Sequence, residues 1–358
     1  MAIVAIVGAG YMGTAIAYPL ADNGHTVRLV GTYLDDDIIQ SCRERRYHPK
    51  LQRELPPDVR PYFASEMAQA LQDVDIVVSG VNSLGVRWMG RTVGPYLRAG
   101  QTIVAVTKGL EAMENGDLMI LPDVLGDGLP ESVRGEIKSA AIGGPCIAGE
   151  LAGRRQSCVV FSSRDEQPAR QLADVFRTSY YHVWTTTDLV GLEVCAGLKN
   201  AYAFAVGLTM GLLERAGGRD EAGAQMHNLA AAVFAQGCVE MGRVLQMTGG
   251  NRAFATGLPG AGDLYVTCQG GRNVRLGQLL GLGHSLTEVQ EIMAGQTLEG
   301  AEIVRVVAQA LPKLEARGLI GAQDLPLMRL LADVIVHGRA VDFSVGSFFA
   351  EMASASRC

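Results

Sequence analysis

The chain has 358 residues, of which 48% are hydrophobic and 19% charged. That composition belongs to a folded protein and argues against a disordered one. The length suits about two domains, and a net charge of −6 argues against the broad basic field of a general nucleic-acid binder, though not against a local pocket for a small anion.

The first half alternates short β-rich runs with helical stretches. The expected strands are Ile3–Val7, Thr26–Val30, Asp75–Val81, Thr102–Thr107, Ala140–Gly143, Ser157–Phe161 and His182–Trp184; the helical stretches include Met12–Asn23 and Ser65–Leu71. Several of the strands are apolar throughout, as in a parallel sheet covered on both faces. This predicts an α/β domain of the Rossmann type, doubly wound and mostly parallel, over residues 1–187. The pattern changes near Thr185. Asp188 is a suitable N-cap, and helices are expected over Leu189–Glu214, Glu221–Met247, Gly300–Arg317 and Leu325–Val336. Residues 188–358 therefore read as an all-α domain carrying substrate and catalysis. The longest apolar run, Ala201–Leu213, is too short to span a bilayer and reads as a buried core helix. A homodimer or internal packing would each account for the apolar helices.

Seven cysteines, Cys42, Cys146, Cys158, Cys195, Cys238, Cys268 and Cys358, include no CxxC pair. Reduced thiols in a cytoplasmic protein are the simplest reading. The chain enters its first strand without a signal-peptide pattern. The histidines are isolated, and no metal site is expected.

Gly8-Ala9-Gly10-Tyr11-Met12-Gly13 follows the first strand and opens a helix. In that context GxGxxG predicts a bound dinucleotide. Gly8 permits the turn, Gly10 the approach of a pyrophosphate, and Gly13 close helix–strand packing. The second strand ends in Gly31 and Thr32, with no acid before Asp35. Without a carboxylate at that end NADP is not repelled. Arg43, Arg45 and Arg46 either reach a 2′-phosphate or form a solvated helix face. The expected cofactor is NAD(P)H, with NADP slightly favoured over NAD.

Further along, Lys199 and Asn200 interrupt an apolar helix. A charge there is costly unless paired or used. Lys199 is either a general acid–base group or a structural lysine paired with Glu193 or reaching the surface. Asp263 lies in the glycine-flanked turn Gly260–Leu264, and Arg272-Asn273 open the next helix after two glycines, a good phosphate site.

Leu198-Lys199-Asn200, Gly262-Asp263-Leu264 with Thr267-Cys268, and Gly271-Arg272-Asn273 resemble the NAD(P)-dependent sn-glycerol-3-phosphate dehydrogenases. So do Thr107-Lys108-Gly109, Gly144-Pro145 through Ala148 and Glu150, and Leu298-Glu299-Gly300. The resemblance implies reversible reduction of dihydroxyacetone phosphate, a small phosphorylated substrate, to sn-glycerol 3-phosphate. It implies Lys199 as the proton donor and acceptor, with Lys108, Gly144, Asn200, Asp263, Thr267, Arg272 and Asn273 around the substrate. It implies cofactor contacts at Gly8, Gly10, Tyr11, Met12, Gly13, Thr32, Lys108, Ala148, Arg272 and Glu299. Substrate is expected between the two domains.

Three positions depart from the family pattern. Cys146 and Gly271 stand where serines are usual, and Met12 where bacterial members often have tryptophan. Two lost hydroxyls near the substrate phosphate leave open a related dehydrogenase of another phosphorylated or carboxylated hydroxy compound. A dinucleotide-binding sensor without catalysis is the non-enzymatic alternative.

Overall fold

Eight strands form one sheet: β1 (Ile3–Val7), β2 (Thr26–Val30), β3 (Val59–Tyr62), β4 (Ile76–Ser79), β5 (Thr102–Ala105), β6 (Lys138–Gly143), β7 (Ser157–Ser163) and β8 (Tyr181–Thr186). They lie in the order β8-β7-β6-β5-β4-β1-β2-β3. Every neighbouring pair is parallel except β6 with β7. β4 and β5 are buried along their whole length, each with three apolar residues and one small hydroxyl residue, Ser79 or Thr102. The strand order reverses beside β1, so the loops leaving β1 and β4 open the crevice where such sheets bind ligands.

The computed structural model describes residues 1–219, 221–223 and 227–343. Cys358 and the stretch 344–358 of the expected second domain lie outside the described residues, as does 224–226 of the expected helix Glu221–Met247. The chain forms two units. One comprises Met1–Lys108 and Ile120–Glu193; the other takes Gly109–Met119 and the chain from Val194 onward.

The helices of the first unit used below are α1 (Tyr11–Ala15), α2 (Ala17–Asp22), α3 (Asp36–Arg45), α4 (Val86–Val93), α5 (Leu121–Asp127), α6 (Ala148–Ala152) and α7 (Glu166–Phe176). The expected single helix Met12–Asn23 is thus two. Pro19 has no amide hydrogen to offer the carbonyl of Ala15, and the helix breaks at Ile16. β3 escapes the sequence reading because it contains Pro61, which an edge strand tolerates. Phe161, Phe176 and Tyr181 lock β7, α7 and β8 together, with edge-on ring contacts at 5.1 and 6.2 Å.

α8 (Leu189–Arg215) starts at the end of the first unit and continues as the core helix of the second. Asp188 caps it by accepting the Gly191 amide at 2.8 Å. This helix is long and apolar enough to cross a membrane, but 94% of its apolar window is buried inside the protein. α9 (His227–Thr248), α10 (Asp263–Cys268), α11 (Arg272–Leu282), α12 (Leu286–Ile292), α13 (Glu299–Ala316) and α14 (Pro326–Ile335) follow. A two-stranded ribbon, Leu110–Ala112 with Leu118–Ile120, packs beside α13.

α8 and α11 touch backbone to backbone. A Cβ on Gly207 would lie 2.3 Å from the Val274 carbonyl oxygen, and one on Gly277 would lie 2.1 Å from that of Phe204. Gly211 and Gly281 repeat the contact one turn on. Glycines four apart on both helices permit this approach, which brings the start of α11 against Asn200.

Candidate functional site

The Gly8–Gly13 loop leaves β1 with the Gly8 amide bonded to the Val30 carbonyl at 2.8 Å. Gly8 takes φ +110, and a Cβ there would sit 2.6 Å from Gly80 at the end of β4. A Cβ on Gly13 would lie 2.4 Å from the Gly8 carbonyl oxygen. These two glycines are required by the protein's own packing. Gly10 is not: its nearest neighbour would be 3.8 Å away. The backbone beside Gly10 is therefore open to close approach, as the pyrophosphate expected from the sequence would require. Replacing Gly10 with valine is expected to weaken dinucleotide binding at least tenfold, a loss of about 1.4 kcal/mol, with the melting temperature nearly unchanged. Titration of cofactor fluorescence reads the first and calorimetry the second.

Beside this loop a small recess is lined by Met12, Lys108, Gly144, Cys146 and Tyr181 among others. The structure so brings Met12, Lys108 and Gly144 together within the first unit. Tyr11 is 54% exposed at the loop's outer edge, and Ala148 opens α6 on the far side of Cys146. The Tyr181 hydroxyl is buried without a partner among the described residues. Glu193 is also fully buried, and neither of its carboxyl oxygens is hydrogen-bonded. Burial pushes its carboxyl up to about 8, against the pull of Lys108.

In the second unit Lys199 and Asp263 are buried and paired, ammonium to carboxylate. The pairing with Glu193 weighed from sequence is not the one formed. Asp263 is aimed by a π-helical turn, Leu258–Gly262, that runs directly into α10. Gly260 allows that turn, since a Cβ there would meet the Phe254 and Ala255 carbonyl oxygens at 2.4 Å. The Thr267 hydroxyl donates to the Asp263 carbonyl at 2.7 Å. The Asn273 amide donates to the Asn200 side-chain oxygen at 2.9 Å and accepts from the Gly300 amide at 2.8 Å. Arg272 at the start of α11 donates to Glu299 at 2.6 Å. Lys199, Asn200, Asp263, Thr267, Arg272, Asn273 and Glu299 thus form pairs where the middle of α8 meets the starts of α10, α11 and α13.

Other sequence readings take a different form. Arg43 stacks 4.5 Å over the Phe63 ring, donates to the Pro61 carbonyl and pairs with Glu66. Arg46 donates to the Pro56 and Val59 carbonyls, and Arg45 donates to Ser41 on its own helix. In this structure Arg43 and Arg46 tie α3 to the edge strand. Gly271 has φ +96, so the missing serine reflects a left-handed backbone that favours glycine. Sequence reading missed Gly80, His48 and the inward role of Asp35. Gly80 ends an apolar strand, a signal that was available; a lone histidine carries none. Among the described residues no group of three or more His, Cys, Asp or Glu side chains is placed to hold a metal.

Comparison with known proteins identifies the family. Residues 3–169 match the model for the N-terminus of NAD-dependent glycerol-3-phosphate dehydrogenase, and residues 188–345 match its C-terminus. The chain is 37% identical over 289 residues to an NADP(+)-dependent glycerol-3-phosphate dehydrogenase of Archaeoglobus fulgidus, covering 81% of this chain and 83% of that protein. It is 34% identical over 351 residues to a glycerol-3-phosphate dehydrogenase [NAD(P)+] of Bacillus cereus, covering 97% and 95%. The crystal structure of glycerol-3-phosphate dehydrogenase from Coxiella burnetii superposes with a TM-score of 0.78 at 26% identity, covering 98% of each chain. The glycine loop on the first unit and the paired Lys199–Asp263 on the second thus sit in a chain that belongs to the NAD-dependent glycerol-3-phosphate dehydrogenase family.

Proposed function

We propose that the chain interconverts dihydroxyacetone phosphate and sn-glycerol 3-phosphate with NAD(P)(H), and that Lys199 gives and takes the proton at the C2 oxygen. The observation that carries this reading is the buried Lys199–Asp263 pair. A buried cation with three donors suits a carbonyl oxygen that gains negative charge during reduction. When bound, the reduced nicotinamide supplies hydride to the ketone carbon. Lys199 stabilises the growing charge on the oxygen and releases a proton to it. Asp263 keeps the ammonium in place, and Asn200, tied to Asn273, lines the same side. On the first unit, Gly8, Gly10, Tyr11, Met12, Gly13, Thr32 and Ala148 are assigned to the cofactor, with Lys108 and Gly144 assigned to the substrate.

Arg272 and Asn273 are assigned to the substrate phosphate. Arg272 is half-exposed, has a planar fork suited to phosphate, and stands at the first turn of an eleven-residue helix whose amide hydrogens favour an anion. Anchoring the phosphate orients the reacting carbon from a distance. Arg272→Ala is expected to raise the Michaelis constant for dihydroxyacetone phosphate by about 10–100-fold, the loss of one or two charge-assisted bonds. The weak turnover of unphosphorylated dihydroxyacetone should change little. An equal loss with both ketones would remove Arg272 from the phosphate site.

A modest preference for NADPH is part of the proposal. Asp35 is turned inward, its Oδ2 accepting from the Thr32 amide at 2.9 Å, the Thr32 hydroxyl at 2.8 Å and the Ala9 amide at 3.2 Å. A carboxylate so occupied is not presented to a ribose 2′-hydroxyl. The ratio of kcat/KM for NADPH and NADH tests this, and a large NADH preference would overturn it. The six cysteines among the described residues are all free thiols, which supports a reducing, cytoplasmic setting. Val239, Tyr265 and Ile292, exposed on the second unit, support a homodimer, which light scattering reads directly.

A further inference from the structure

Ala9, between the first two glycines of the loop, is fully buried and held at both ends of its backbone. Its amide donates to Asp35 Oδ2 at 3.2 Å. Its carbonyl oxygen lies 2.9 Å from His48 Nε2. The His48 ring is itself completely buried, and its Nδ1 accepts the Leu51 amide at 3.0 Å. A backbone amide only donates, so Nδ1 carries the lone pair and the ring proton is on Nε2. The neutral tautomer is therefore set by the short turn His48–Leu51, and His48 donates to Ala9. Burial holds the imidazole below its ordinary value and so favours this neutral form, against the hydrogen bond to the Ala9 carbonyl and the charge of Asp35, with Lys50 acting in the same sense as burial.

These contacts lie on the protein side of the loop. The opposite side, at Gly10, is open. Removing His48 would leave the Ala9 carbonyl buried without an acceptor's partner, free to rotate the peptide between Gly8 and Gly10. Glycine neighbours offer little resistance to that rotation. The amide hydrogens that a phosphate needs would then no longer converge before the ligand arrives.

We propose that His48, as a neutral Nε2–H imidazole acting with Asp35 through Ala9, is a positioning residue that pre-organises the phosphate loop for the dinucleotide. It does not touch the cofactor; it fixes the peptide that does. The proposal rests on the reading of this loop as the dinucleotide site.

The test compares His48→Leu with His48→Gln at neutral pH, measuring the NADPH dissociation constant and the melting temperature together. Gln places its amide nitrogen near the imidazole Nε2 and can still donate to Ala9; Leu cannot. His48→Leu is expected to weaken NADPH binding roughly tenfold, within the usual cost of an unpaired buried polar group, while His48→Gln recovers most of the affinity. Should the Leu variant be recovered unfolded, His48→Asn, whose shorter amide falls short of Ala9, gives the same comparison. In the ligand-free wild type, nitrogen-15 spectra of the His48 ring should show a protonated Nε2 and a hydrogen-bonded lone pair on Nδ1. Normal NADPH affinity in a folded Leu or Asn variant, equal losses in the Gln and Leu variants, or a protonated Nδ1 would each overturn the proposal alone. Failure of the folded wild type to bind NADPH or NADH would instead overturn the dinucleotide reading, and the proposal with it.

Discussion

Lys199→Ala should lose turnover by roughly 10²–10⁴-fold, the range for a positioned proton-transfer group, while NADPH binding stays near that of the wild type. Lys199 lies in the most deeply buried stretch of α8, where an unpaired charge is expensive. The chain supplies one buried carboxylate to meet it, Asp263, through a π-helical turn whose glycine admits no side chain. Such irregular turns are common at functional sites. The variant has a second consequence, because it removes the cation that faces the buried Asp263 carboxylate. Breaking a buried pair from one side costs about 3–5 kcal/mol. Lost activity alone could then be lost structure. The double variant Lys199→Ala/Asp263→Ala separates the two, since removing both charges should restore much of the stability and none of the turnover. A double variant with near-normal turnover would remove Lys199 from the mechanism.

Glu240→Ala should destabilise the protein by several kcal/mol, about 1–3 kcal/mol for each buried donor left without an acceptor, without touching the reacting groups. Glu240 on α9 is fully buried. It accepts the Leu327 and Met328 amides at 2.6 and 3.0 Å, the Gln236 amide at 2.9 Å and the Tyr202 hydroxyl at 3.2 Å. Leu327 and Met328 belong to the first turn of α14, whose N-cap residue, Leu325, has no side chain able to cap. Glu240 supplies the acceptor that the local sequence lacks, and Tyr202 ties the same carboxylate to α8 three residues after Lys199. Alanine would leave all four donors without it. The pH dependence has a definite sign. Burial raises the Glu240 carboxyl to about 7, well above its ordinary 4.5, against the pull of its four donors. A folded state that holds its proton more tightly than the unfolded state is stabilised in acid. That contribution is lost as pH rises from the ordinary carboxylate range through about 7. Glu193 acts in the same direction through about 8. Between pH 5 and pH 8 these two carboxyls therefore lower the melting temperature, while His25 and His48, held below their ordinary values by burial, act the other way in the acid part of that window. The glutamate contribution is read against a Glu193→Gln/Glu240→Gln double variant, whose melting temperature should gain on that of the wild type as pH rises; a difference that does not change with pH would contradict the assignment.

Local pattern made much of this molecule readable. β1 and β2 were found with their exact ends because each is an apolar run closed by glycine or by turn residues. The same held for the glycine loop, for Asp188 as a cap, and for Lys199 as an anomaly on an apolar helix. Features that depend on distant partners were not readable. β3 is stabilised by pairing with β2 despite Pro61. Glu240 looks like an ordinary helix residue until Leu327 and Met328 arrive from 87 and 88 residues away. Arg43 and Arg46 had the right charge for a phosphate, but carbonyl oxygens of β3 and its approach engage them instead. Asp35 was counted as too late to serve a ribose, and its inward turn toward Ala9 shows a different use. The paired glycines of α8 and α11 carried a four-residue spacing on each helix, a signal that becomes meaningful only when both helices are considered together.

The most direct test of the central claim is oxidation of NADPH by purified protein on addition of dihydroxyacetone phosphate, followed at the nicotinamide absorbance with product identified as the sn-3 isomer. The account predicts rapid, stoichiometric oxidation that is lost in Lys199→Ala. A folded protein that binds NADPH yet leaves it unoxidised by dihydroxyacetone phosphate would contradict the substrate assignment, and Cys146 would then be the first position to change.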